Sequence, residues 1–194
     1  ANRIRSDASI TKKFLIPPYY FEKNVTARIN AIDVEGLPTT QDLFDVMIVW
    51  SARPYDIVHM KLTDDNVKVE GFAKSRGLRP QPWITFINRE RAIKLLHWIQ
   101  EGIRNGEVMD PLNPNNKKKF KEMLKPHGLE NLRDLRVIGA EFSARRTLSN
   151  PLQRTGAEMQ HQRAIALRHK PMNRSATSYY DTIVQSSVPE TESQ

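Results

Sequence analysis

TTQDLFDVMIVWS, residues 39–51, is the stretch from which the architecture follows. Thr39 and Asp42 stand three apart, the spacing at which two side chains close a helix N-terminus on each other's backbone amides. Leu43, Phe44, Val46, Met47, Ile48, Val49 and Trp50 come next, apolar on every side of a helix. A helix without a polar face must be surrounded by protein. The most buried helix is therefore expected here, ending near Ser51 because Pro54 cannot continue it.

Reading outward, Val58, Met60 and Leu62 alternate with polar residues, Asp64-Asp65-Asn66 supplies a turn, and Val67 and Val69 alternate again. That pattern predicts a short β-hairpin. Residues 71–82, GFAKSRGLRPQP, form a basic loop. Thr85 is placed to cap an amphipathic helix with Ala92, Leu96, Ile99 and Ile103 on one face and Gly106 as its stop. On the other side, Phe21, Val25, Ile29 and Ile32 predict a helix that Gly36 and Pro38 terminate. A short helix opens at Lys117 and ends by Pro126 and Gly128. Another carries Leu132, Leu135, Ile138 and Phe142. Beyond Pro151 the apolar face thins to Met159, Ala164, Ile165 and Leu167. The expectation is a mainly α protein: a helical core over residues 17–150 with a small β-hairpin, an extended N-terminal arm over 1–16 and a C-terminal arm over 151–194. Phe14, Leu15, Ile16, Tyr19 and Tyr20, stiffened by Pro17-Pro18, form an aromatic strip at the arm's root. A neighbouring copy is its expected partner, so these are the candidate subunit contacts.

Charge is unevenly placed. Asn131 to Lys170 carries eight Lys or Arg against three acids, whereas Tyr20 to Asp65 carries four basic residues against eight acids. The first segment thus supplies +5 of a net +8. Most of its cations are arginines, whose planar fork suits phosphate. Arg133, Arg136, Arg145 and Arg146 are the candidate phosphate ligands, and a polyanion is the expected partner.

Other chemistry finds no residues to carry it. The chain has no cysteine, hence no disulfide, thiolate metal site or cysteine nucleophile. The five histidines show no metal-ligand spacing, and Asp64-Asp65 reads as a solvated turn. Phosphate-cradling glycine loops and nucleophile elbows are missing. No apolar run approaches a membrane span. The expectation is a soluble, intracellular binding protein, not an enzyme, with no metal, cofactor, membrane or small-molecule substrate. The tryptophans and tyrosines are read as core or subunit contacts before base-stacking platforms.

Several segments, in order, resemble a family. Pro126-His127-Gly128-Leu129, Asn131-Leu132-Arg133-Asp134, Ala140-Glu141-Phe142, Leu148-Ser149-Asn150-Pro151 and Glu158 to Leu167 are similar to a run near the C-terminal end of potyvirus-type coat proteins. Those proteins build flexuous filamentous plant viruses. Met47 to Ser51 is similar to the family's MVWC segment, and Trp83 to Ile103 has a counterpart helix. Asn131 to Asp134 is the part closest to verbatim. Ala52-Arg53-Pro54-Tyr55 replaces the family's NGTSP, the acid Glu141 is displaced by one position, and the N-terminal arm is short, so the resemblance is to a divergent member. It implies a groove for single-stranded genomic RNA lined by Ser51, Arg91 and Glu141. It also implies self-association into a helical filament, and a place in the virion and the host cytoplasm. Two rivals stand beside it: a negative-strand RNA virus nucleoprotein, and an RNA-free helical adaptor whose basic face meets an acidic protein.

Overall fold

A computed structural model describes residues 14–71, 79–150, 152, 154 and 156–168. The expectations for residues 1–13, for most of the basic loop and for the tail beyond Arg168 lie outside them. Over the described residues the chain is mainly helical, with α1 (Glu22–Ala31), α2 (Thr40–Val49), α3 (Pro54–His59), α4 (Arg89–Arg104), α5 (Lys117–Leu124), α6 (Leu132–Thr147) and α7 (Gly156–Ala166). Strands β1 (Lys61–Leu62), β2 (Lys68–Glu70) and β3 (Gln81–Pro82) make a small antiparallel sheet in the order β1-β2-β3. Leu62 faces Val69, and Val69 faces Gln81.

Helix α2 is the centre, with α1, α4 and α6 packed on it. Leu43, Phe44 and Val46 to Trp50 are all buried, and so is Asp45 among them, whose carboxylate accepts from Arg28 Nε at 2.7 Å. The Thr39 hydroxyl accepts from the Asp42 amide at 3.2 Å, and the Asp42 carboxylate accepts from the Thr39 amide at 2.7 Å. Helix α4 buries Ala92, Leu95, Leu96 and Ile99, and Gly106 follows it with φ +77°, a conformation glycine adopts freely. Its cap is Asn88, whose side chain accepts from the Arg91 amide at 3.1 Å; Thr85 only accepts from Ile87 at 3.4 Å in the preceding turn. Where α6 crosses α2, Gly139 lets the backbones touch. A Cβ there would stand 1.9 Å from the Ile48 carbonyl oxygen and 2.9 Å from Ser51 Oγ.

Three expectations change. Val58 and Met60, expected in the first strand, belong instead to the end and the C-cap of helix α3: Pro54 suits a first helical turn, and Asp56 accepts from the Arg53 amide at 3.2 Å. The hairpin therefore starts only at Lys61, and β3 adds a third strand to it. The aromatic strip folds onto its own chain. Ile16 and Tyr20 are buried in the core, Phe14 and Tyr19 pack against it, and Leu15 alone of the five is exposed. Ile16 and Tyr20 are thus not contacts that a neighbour can reach. Finally, α7 packs along α6, burying Met159, Arg163 and Ala166, so the folded body runs past residue 150. Its sparse apolar face hid this, because the contact is made partly by charge.

Candidate nucleic-acid interface

Apart from Arg133, the arginines of the basic stretch fall into three groups, with Arg145 shared by two of them, and burial decides which of them can meet a ligand. The first group closes the C-terminus of α2. A helix ends in carbonyls without intrahelical partners, and its dipole leaves them negative. Arg136 Nε donates to the Ser51 carbonyl at 3.2 Å, and its Nη2 donates to the Leu167 carbonyl. Arg168 donates to the carbonyls of Trp50 at 2.8 Å and Ser51 at 2.9 Å, and its Nη2 lies 3.5 Å from Asp56. Burial pulls the Arg168 guanidinium below its ordinary value, and the Asp56 carboxylate opposes that pull. Ser51 itself is buried, with φ +45° and its hydroxyl without a hydrogen-bond partner, beside Gly139. Ser51 and Arg136, both candidate RNA ligands from the sequence, are enclosed in this joint.

The second group is centred on Glu141. Its carboxylate accepts from Arg145 Nε and Arg163 Nε, each at 2.7 Å, and Glu141 and Arg163 are buried. Breaking one side of a buried pair strands the other charge and costs about 3–5 kcal/mol. Glu141 is thus an anchor that ties α7 to α6. Arg91, the third residue implied by the resemblance, stands apart from both groups. Its Nη2 donates to the Ile29 carbonyl at 3.0 Å and to that of Ile32 at 2.6 Å, which closes the C-terminus of α1. Ser51, Arg91 and Glu141 each have an internal partner or place, and no single groove with all three on its wall is found among the described residues.

Even the most family-like run has a local reason. The Asn131 side chain accepts from the Arg133 amide at 2.9 Å, while Asp134 accepts from the Glu130 and Asn131 amides at 3.0 and 3.1 Å. Asn131-Leu132-Arg133-Asp134 is the N-terminal cap of α6. Arg133 remains exposed at the head of that helix.

The third group faces outward. Arg145 and Arg146 in the last turn of α6, with Ser149 and Arg154 beyond it, line a polar depression of about 300 Å³. Glu22, from the first turn of α1, is its acid. Arg146 is exposed, Arg145 is partly so while held by Glu141, and Arg154 Nε donates to the Leu148 carbonyl at 3.0 Å. Partial burial raises the Glu22 carboxyl above its ordinary value, and Arg145, Arg146 and Arg154 pull it back. Three guanidinium groups and one hydroxyl around a depression of this size can hold one phosphate by charge-assisted hydrogen bonds. Ser149 and Arg154 were not singled out in the sequence. The signal was the position of a helix end, where chain reversal gathers residues that lie up to nine apart.

The indole rings of Trp50 and Trp83 are not platforms for bases. Trp50 and Trp83 stack at 4.3 Å inside the core, and Arg89 lies 3.8 Å over Trp83. No helix among the described residues is long and apolar enough to cross a membrane, and no cluster among them has the donor set of a metal site. Comparison with family models, with curated proteins and with solved structures finds no match to this chain.

Proposed function

We propose that this chain coats single-stranded RNA, as a viral coat protein that polymerises into a flexuous filament. The observation that carries the reading is the outward arginine depression at the end of α6. Arg145, Arg146 and Arg154 converge there with Ser149, while Arg136, Arg163 and Arg168 of the same stretch serve the fold. A backbone-binding site of that kind takes phosphates without regard to sequence, as a protein covering a whole genome must. The net charge of +8 and the ordered resemblance of residues 126–167 to potyvirus-type coat proteins support it.

The test is binding of an oligouridylate to the full chain over a salt series. Affinity should fall steeply with salt, and Arg146→Glu should weaken binding by about tenfold or more while leaving the circular dichroism unchanged. RNA recovered with the protein after nuclease treatment should appear in regular protected lengths. Salt-independent binding, or an unaffected Arg146→Glu variant, would overturn the assignment of this depression. Smooth digestion of the RNA would overturn the coat.

A further inference from the structure

A second surface, away from the arginine depression, is apolar at its floor and basic at its rim. It is a groove of about 710 Å³ between the connector before α5, the helix α5 itself and the head of α6. Pro54, Pro111, Leu112, Pro114, Phe120 and Leu132 make the floor. Lys117, Lys118, Lys121 and Arg133 stand around it, against Glu130 as the one acid. Leu112 is exposed, whereas Phe120 is rooted in the core. Three proline rings offer flat apolar faces of the kind that aromatic side chains cover well. The occupant that suits such a groove is an aromatic, acid-bearing extended segment.

We infer that the groove is the docking site for this chain's own C-terminal segment, residues 179–184, Tyr179-Tyr180-Asp181-Thr182-Ile183-Val184. Three observations carry this. The first is chemistry: two tyrosines, an isoleucine and a valine surround one aspartate, and residues 171–194 hold three acids against one arginine. The N-terminal segment fits badly, since residues 1–13 carry Arg3, Arg5, Lys12 and Lys13 against Asp7 and would meet a rim of their own sign. The second is position. The last described residue, Arg168, is bound to the carbonyls of Trp50 and Ser51 and approaches Asp56 on α3. Pro54, at the head of α3, is part of the groove's floor. The third is reach: the ten residues 169–178 can span up to about 33 Å, ample for a groove that begins beside their starting point. Docking would cover an apolar floor that otherwise faces water, and would neutralise part of the rim.

The absence of cysteine makes the test direct. In the full chain, a Leu112→Cys and Tyr180→Cys pair should form an intramolecular disulfide under mild oxidation. It should do so about tenfold or more faster than a Leu37→Cys and Tyr180→Cys pair, because a docked tether has a high local concentration. Leu37 and Leu112 are both exposed, so neither change opens the core. Lys121→Glu should slow the Leu112–Tyr180 reaction roughly two- to fivefold, as should Asp181→Lys, and the two together should restore it. Equal rates for the two cysteine pairs, read on non-reducing gels, would overturn the docking. So would cross-linking found only in dimers, which would assign the groove to the tail of a second copy. Failure of the charge swap to restore the rate would overturn the role given to the rim.

Discussion

Glu22 is the residue at which fold and ligand chemistry compete. It stands in the first turn of α1, where a negative charge is favoured by the helix dipole, and it faces Arg145, Arg146 and Arg154. Desolvation lifts its carboxyl above the ordinary value of 4.5, so the folded chain holds the proton to higher pH than the unfolded chain does. Ionised Glu22 is therefore a cost to the fold above that raised value, and the cost disappears as the pH falls through it. The same proton removes an acid from the arginine depression. Affinity for oligouridylate should accordingly rise as the pH falls from neutral through the carboxylate range. Glu22→Gln should bind more tightly at the upper pH and lose most of that dependence. A Glu22→Gln variant with the pH profile of the unaltered chain would place the titrating group elsewhere.

At the scale of elements, the joint between α2 and α6 is the most demanding contact in the molecule. Gly139 lies against the Ile48 carbonyl, and the chain just past α2 turns through Ser51 at positive φ so that Arg136 and Arg168 can bind the last carbonyls. A methyl group at 139 has no space to occupy, and the obstruction is backbone, which cannot rotate aside. Gly139→Ala should destabilise the protein by about 3 kcal/mol, the upper end for overpacked cores. Denaturant unfolding measures it, and a change under about 0.5 kcal/mol would mean that the helices cross with slack. The same joint explains why the arginine-rich stretch is not a uniform basic face. Its cations at 136 and 168 satisfy helix-end carbonyls, and that at 163 is neutralised by Glu141.

For the whole molecule, the packed body reaches back to Phe14, three residues before the start at 17 that the composition suggested. Phe14 packs on the core and Ile16 is buried in it. Removing residues 1–13 should leave the thermal stability nearly unchanged, whereas removing 1–16 should lower it, since burying an isoleucine contributes about 1.5–3 kcal/mol. Thermal melts of the two truncations compare them directly; equal melting temperatures would show that the strip is held only loosely. Under the proposed coat function, filament assembly by the shorter truncation then tests residues 1–13 without the loss of a core residue.

The amino-acid sequence by itself determined the helices whose signals are local. Thr39 with Asp42, the apolar run to Trp50, the stripe of α4 and the stop at Gly106 each act within a few residues, and each stands where it was expected. Val58 and Met60 were misread because alternation over so short a span fits a strand, while Pro54 and Asp56 give the residues before them a helix start. What the tertiary structure alone decided is the employment of the arginines. Arg91, Arg136, Arg145 and Arg146 look alike in composition, yet the first two donate to carbonyls 59 or more and 31 or more residues away. The other two edge a surface depression completed by Glu22 and Arg154. A guanidinium binds a peptide carbonyl or a phosphate with the same donors, so its role depends on which acceptor the fold brings within 3 Å and whether water can reach it.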